Sequence, residues 1–151
     1  MLVHRFDPEV PLPVYGSAGA AAFDMHLSAI ERPLARHVPD ADKLPAGFEA
    51  DPAPGARGWT IFPGALVHAR SGLGFAIPRG HYLDIRSRSG WTGCGLVVVH
   101  GTIDEDYLGE VGAHIVNLSP RPIRVERGMR LFQAVLKRHE RDTFEDVIGS
   151  A

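Results

Sequence analysis

The chain has 151 residues, the length of one domain, and its 44% hydrophobic and 23% charged residues are the balance of a globular protein rather than a disordered or fibrous one. Its formal net charge is −2 and no run of like charges stands out, which excludes whole-molecule attraction to nucleic acid or to an anionic membrane. The lone cysteine, Cys94, excludes a disulfide within the chain and suits a reducing compartment. No apolar run reaches the ~18 residues of a membrane span, and the opening "MLVHRFDPEV" lacks a signal peptide's apolar core, so a cytoplasmic location is expected.

In chain order, "AAAFDMHL" (20–27) first places Asp24 between Phe23 and Met25. An acid inside an apolar stretch needs a partner or a cation if it is buried. Residues 36–58, "RHVPDADKLPAGFEADPAPGARG", hold four prolines and little apolar periodicity, and are predicted to be a loop insertion. Short apolar runs bounded by turn residues follow: "GWTIFPGALVHA", "GLGFAIPRGHYLDIRS", "GLVVVHGTI", "EVGAHIVNLS", "PIRVERG" and "RLFQAVLKRHE". Val111, Ala113 and Ile115 alternate with Gly112, His114 and Val116, the period of a half-buried strand. No segment sustains a helical period over three turns. Many short strands predict a single all-β domain, a distorted barrel or jelly roll with little helix.

Three stretches carry candidate chemistry. "RSRSGWTGCG" (86–95) offers the Arg88 guanidinium, the Ser89 hydroxyl and the backbone N–H groups around Gly90, the parts of a phosphate cradle, although ordinary surface turns use the same residues. A near copy, "RSGLG", stands at 70–74. "GLVVVHGTIDEDYLGE" (95–110) reads as strand, turn, strand, with Val97, Val98 and Val99 suited to a buried strand. Gly101 lets the backbone approach a ligand closely. Asp104, just past Ile103 at the strand end, is the acid expected to be half-buried and able to take a proton from water. Asp106 and Glu110 are expected to be supporting or solvent-facing. "RGMRLFQAV" (127–135) sets Arg130 and Gln133 beside a glycine turn entering a strand. The eight histidines show no metal-ligand spacing, and no nucleophile-elbow or kinase signature is present.

Taken in this order, the stretches resemble the trimeric dUTP diphosphatase (dUTPase) family, within the dUTPase/dCTP deaminase superfamily. "AAFDMHL" is similar to its first motif, A-G-Y/F-D-L, and "SRSGWT" to its second, P-R-S-G-L-A. "GTIDEDYLGE" matches the third, G-V/T/L-I-D-x-D-Y-x-G, almost fully, and "RGMRLFQAV" resembles the fourth, K-G-D-R-I/L-A/F-Q-L/A. "RSGLG" is followed by "FAIPRG", as the family's spacer is, so Arg70 is read as structural.

The resemblance implies hydrolysis of dUTP to dUMP and pyrophosphate by a Mg²⁺-assisted homotrimer that builds each site between subunits. Asp104 would deprotonate the water that attacks the α-phosphate. Tyr107 would pack on the deoxyribose and reject a 2′-hydroxyl. Backbone groups around Gly101 and Ile103 would pair with the uracil edge in a β-hairpin pocket. Arg88, Ser89 and Gly90 of a neighbouring subunit would hold the phosphates, and Gln133 would orient phosphates or water. Asp24 would face Mg²⁺ through water.

Departures from the pattern are also legible. The family's glycine-rich fifth motif, which closes over the triphosphate, is not found in the 151 residues, whose last stretch is "RDTFEDVIGSA". Slow turnover is the expectation, with 36–58 as the segment that could substitute. Trp91 and Thr92 replace the usual Leu-Ala. The hairpin from Ser89 to Asp104 is short, and Val98 or Val99 lies where many members place a base-contacting Asn. Three alternatives stay open: hydrolysis of another dNTP, a dCTP deaminase-like reaction, and a non-catalytic nucleotide-binding module. The deaminase base would be a Glu three residues before Asn117, where this chain has His114.

Overall fold

The computed structural model describes residues 1–33, 40, 43, 45–146 and 149. Among these, twelve strands and one short helix are arranged in three sheets, with every strand pairing antiparallel. The first sheet runs β1 (Leu2–Arg5), β6 (Leu66–Ala76), β10 (Val111–Asn117), β8 (Leu96–Val99), with β3 (Ala29–Glu31) also paired to β6. The second runs β11 (Ile123–Glu126), β5 (Gly58–Ile61), β4 (Phe48–Ala50). The third runs β2 (Phe23–His26), β12 (Arg130–Arg138), β7 (His81–Ser87), β9 (Gly101–Ile103). The helix α1 (Ser89–Gly93) is a single turn at the end of β7. The sheets do not close on one another as a barrel; the architecture is jelly-roll-like.

Alternation decides which face each strand buries. Phe23 and Met25 of β2 enter the core while Asp24 and His26 face outward. Val111, Ala113 and Ile115 of β10 are buried, and His114 between them is exposed. Phe132, Met25, Leu27, Leu83 and Ile115 are among the largest fully buried side chains, each stabilising the fold by roughly 1.5–3 kcal/mol through removal from water. Asn117, fully buried, is a polar plug between two sheets. Its Nδ2 donates to the carbonyls of Ile61 (2.9 Å) and Arg121 (2.8 Å), and its Oδ1 accepts from Ser119 N–H (3.0 Å) and Ser119 Oγ (2.7 Å).

The repeated "RSGLG" at 70–74 is structural throughout. Gly72 has φ +71°, and a Cβ there would stand 2.6 Å from the Asp7 Cβ. The Arg70 guanidinium binds Glu110, with Nε at 3.0 Å, and Glu110 also accepts the Gly72 N–H at 2.6 Å. Glu110 is therefore a half-buried ion-pair partner, the supporting one of the two roles expected for it.

Two further expectations change. The first half of 36–58 lies largely outside the described residues, but its second half is not only loop: β4 pairs with β5 through Phe48↔Ile61, Glu49↔Thr60 and Ala50↔Trp59. Val99 is 51% exposed, because β8 is the last strand of its sheet and, among the described residues, no further strand pairs with its far edge. No helix among the described residues is long and apolar enough to cross a membrane.

Candidate active site

The third sheet positions the candidate residues at two places. At the first, β7 ends at Ser87 and the extended Arg88 leads into α1. An open depression of about 580 Å³ here is lined by Asp24, Ser87, Arg88, Ser89, Gly90, Thr92, Gly93 and Gln133. Asp24 arrives from β2 and Gln133 from β12 because the register sets Asp24 opposite Gln133 and Gln133 opposite Arg86. Asp24, Arg88, Ser89, Gly90 and Gln133, scattered over 110 residues of sequence, thus share one site.

Its electrostatics are specific. Asp24 Oδ1 lies 2.7 Å from Arg88 Nε, and Oδ2 lies 3.2 Å from Arg130 Nη1. Two guanidiniums therefore face one carboxylate, leaving positive charge for a polyanion. Arg88 Nη1 also donates to the Arg130 carbonyl at 2.8 Å. Gln133 Nε2 donates to the Ser87 carbonyl at 2.7 Å, which ties β12 to the loop. His26 stands on the same face of β2 as Asp24, and burial pushes its imidazole below the ordinary histidine pKa, with Arg130 and Arg88 adding to the effect against Asp24. Its Nδ1 is buried without a hydrogen-bond partner.

The second place is the turn after β9. Tyr82, Thr102, Asp104, Glu105, Asp106, His139, Glu140 and Arg141 line a depression of about 440 Å³. Asp104 is exposed rather than half-buried as expected, because β9 is the outermost strand of its sheet and nothing among the described residues covers it. Glu105 is held by the Gly80 N–H. Tyr107 donates its hydroxyl to the Glu110 carbonyl at 2.9 Å, and its ring is 44% exposed. Gly109 makes this possible, since a Cβ there would sit 2.6 Å from the Tyr107 hydroxyl. Gly101 pairs with Ile85, and a Cβ there would meet nothing closer than Ile85 at 3.8 Å, so the fold itself does not demand glycine at this position.

The hairpin expected from Ser89 to Asp104 does not form as one ladder. Among the described residues, β8 pairs with β10 in the first sheet and β9 with β7 in the third, and the chain crosses between sheets at His100. One residue, His100, cannot both turn the chain back on itself and feed two different ladders.

The two places are also far apart. Ile103 is opposite Leu83, so Asp104 lies by Tyr82, six residues before Arg88 on the same strand path. At about 3.3 Å per residue this is roughly 20 Å.

Two residues at the first place were not singled out as site residues from sequence. Arg130 was visible in its motif, and only the Asp24 contact reveals its part. Trp91 was read as a departure, whereas its indole N–H donates to the Arg130 carbonyl at 2.9 Å. His114, the deaminase position, lies on the outer face of the first sheet, its ring 5.1 Å from His68 and outside both depressions.

This fold is that of the dUTPases: a dUTPase variant from phage phi11 of S. aureus, studied for its coordination of a structural Mg(II) ion, superposes with a TM-score of 0.70 over 98% of this chain and 96% of that one, at 16% identity. Residues 16–139 match the family model described as dCTP deaminase-like, and the chain belongs to that family. Its similar relatives include the deoxyuridine 5′-triphosphate nucleotidohydrolases of Streptomyces coelicolor and Roseobacter denitrificans. The first is 34% identical, covering 97% of this chain and 67% of the relative. The second is 33% identical, covering 92% and 77%.

Proposed function

We propose that the protein hydrolyses dUTP to dUMP and pyrophosphate at sites completed between copies of the chain. The observation that carries this reading is the division of labour along β7, with a guanidinium-rich loop at one end and an acid past an edge strand at the other. Relatives more than 30% identical that bear the name of this activity support the substrate.

One nucleotide must touch both ends, yet groups roughly 20 Å apart on a strand cannot share one phosphate chain. Head-to-tail association of copies removes the conflict: the Asp104 end of one meets the Arg88 end of the next. Closure of such a heterologous contact gives a ring, and a homotrimer is the reading adopted. Association also accounts for the exposure of Asp104, which a neighbour would cover.

In the reaction, Asp104 accepts a proton from a water whose oxygen attacks the α-phosphorus. The bond from that phosphorus to the bridging oxygen breaks, and pyrophosphate leaves with the bonding pair. Arg88, with the Ser89 hydroxyl and the backbone at Gly90, holds the phosphate oxygens, and Gln133 fixes the loop through Ser87. The Tyr107 ring, anchored by its hydroxyl, offers a flat face to the deoxyribose. The bare backbone at Gly101 and Ile103 reads the base edge, which supplies the reason for glycine that the fold does not.

Among the described residues no cluster of three or more His, Cys, Asp or Glu side chains could hold a metal. Mg²⁺ needs only one or two carboxylates when phosphates supply the other ligands, and it retains waters. Asp24 fits that outer role, since each of its oxygens keeps a lone pair beyond its arginine. Mg²⁺, when bound, would screen the phosphates and offset charge on the departing pyrophosphate.

The test is a panel of dNTPs with pyrophosphate detection, on the protein and on Asp104→Asn. Hydrolysis of dUTP that the variant lacks is expected. No hydrolysis above the variant's level refutes the enzymatic reading, a preference for dCTP refutes the base assignment, and ammonia release from dCTP points to deamination.

A further inference from the structure

We infer that Trp91 is a positioning residue of the phosphate loop: its indole N–H anchors α1 to the open end of β12 and so fixes where Ser89 and Gly90 stand beside Arg88. The inference rests on the assignment of these three residues to phosphate.

The helix cannot hold itself. It has five residues, none of them buried, and one turn is too short to be stable alone. Its Thr92 hydroxyl bonds back to the Arg88 carbonyl at 3.2 Å, within the loop. Among the described residues, the one side-chain hydrogen bond from α1 to another element is Trp91 Nε1 to the Arg130 carbonyl, at 2.9 Å. The Trp91 ring also packs against the edge of the core.

The acceptor stands where the ladders of β12 are irregular. β7 pairs with β12 only from Ser87↔Phe132 onward, and the register of β12 against β2 shifts between Arg130 and Phe132. A bulge of this kind disrupts the ladder locally. The Arg130 carbonyl has two lone pairs; one accepts Trp91 and the other accepts Arg88 Nη1 at 2.8 Å. The loop backbone and the guanidinium are thus both referenced to a single atom. Arg88 commits Nε to Asp24 and one Nη1 proton to this carbonyl, so about three of its five N–H donors stay available to a ligand.

Trp91→Phe keeps an aromatic ring on the core and deletes the one donor. Calorimetry with inorganic pyrophosphate on the intact protein is the decisive measurement, with deoxyuridine as the phosphate-free control. Loss of one hydrogen bond predicts about fivefold weaker pyrophosphate binding in Trp91→Phe, unchanged deoxyuridine inhibition, KM for the nucleotide raised more than kcat falls, and a melting temperature within about 2 °C. Trp91→Leu, which removes ring and donor, loses at least as much pyrophosphate affinity. Unchanged pyrophosphate affinity in both variants overturns the inference. Equal weakening of both ligands together with a large drop in melting temperature overturns it too, since that marks a purely structural residue. If the unaltered protein binds pyrophosphate more tightly than Trp91→Phe but hydrolyses no dNTP, the positioning role stands and the proposed reaction falls. If the unaltered protein binds no pyrophosphate, the positioning role is refuted.

Discussion

Mixing two inactive variants gives the sharpest test of a site divided between copies. Asp104→Asn removes the proposed base and leaves the phosphate loop intact, while Arg88→Ala does the converse. Each alone leaves every site with one lesion. The two positions lie roughly 20 Å apart along one chain, so the site as proposed takes them from different copies. In a random equal mixture, a site receives its acid from an Arg88→Ala chain half the time and its arginine from an Asp104→Asn chain half the time. About one quarter of the sites are then free of both lesions, whatever the size of the ring. Co-refolding or co-expression followed by a pyrophosphate-release assay should therefore recover about a quarter of normal activity from two nearly inactive parents. Activity that stays at the parents' level in verified mixed oligomers refutes the divided site. It would mean that Asp104 and Arg88 serve the same site within one chain, or that one of them does not serve it.

Other outcomes follow from single contacts. Gly109→Ala forces a Cβ into the space of the Tyr107 hydroxyl, which displaces the ring; kcat/KM for dUTP should fall about tenfold, more than in Tyr107→Phe, which keeps the ring. Asn117→Ala strips partners from the carbonyls of Ile61 and Arg121 and should cost about 3 kcal/mol, seen as a melting temperature lower by about 10 °C with little change in KM. Partial desolvation of the ring on the sheet face, with His68 second, holds the His114 pKa below its ordinary 6.5. The unfolded chain then binds a proton that the folded one refuses, so stability falls as pH drops below 6.5; this slope should flatten in His114→Asn, as read by urea midpoints across that range.

The strands were legible where one face is buried and the other wet. The alternation in β10 is such a case, as is β2, whose Asp24 reads as an acid needing a partner. That Asp24, Arg88, Ser89, Gly90 and Gln133 belong together was legible because such residue types cluster in short motifs. What the sequence concealed depends on pairing across distance. Nothing local tells that Asp24 bridges two arginines, that Glu110 is consumed by Arg70, or that Val99 sits on an open edge. The β4 strand was hidden because Glu49 and Ala50 are exposed, so backbone pairing with β5 rather than hydrophobic pattern makes it a strand. The helix α1 was hidden for a related reason: with no buried residue it has no apolar face to betray its period.

The crossing at His100 has a further consequence. Because β8 and β9 are registered against different partners, residues can be added to or removed from the connection without shifting either ladder. The residues proposed to read the base, Gly101 and Ile103, stand directly after this splice, on a strand clamped to β7 alone. A change at His100 would alter how the chain enters the strand proposed to read the base, while leaving the Arg88 end of β7 in place. A fold built this way supports a lineage of enzymes that keep one handle on their substrates and exchange the other.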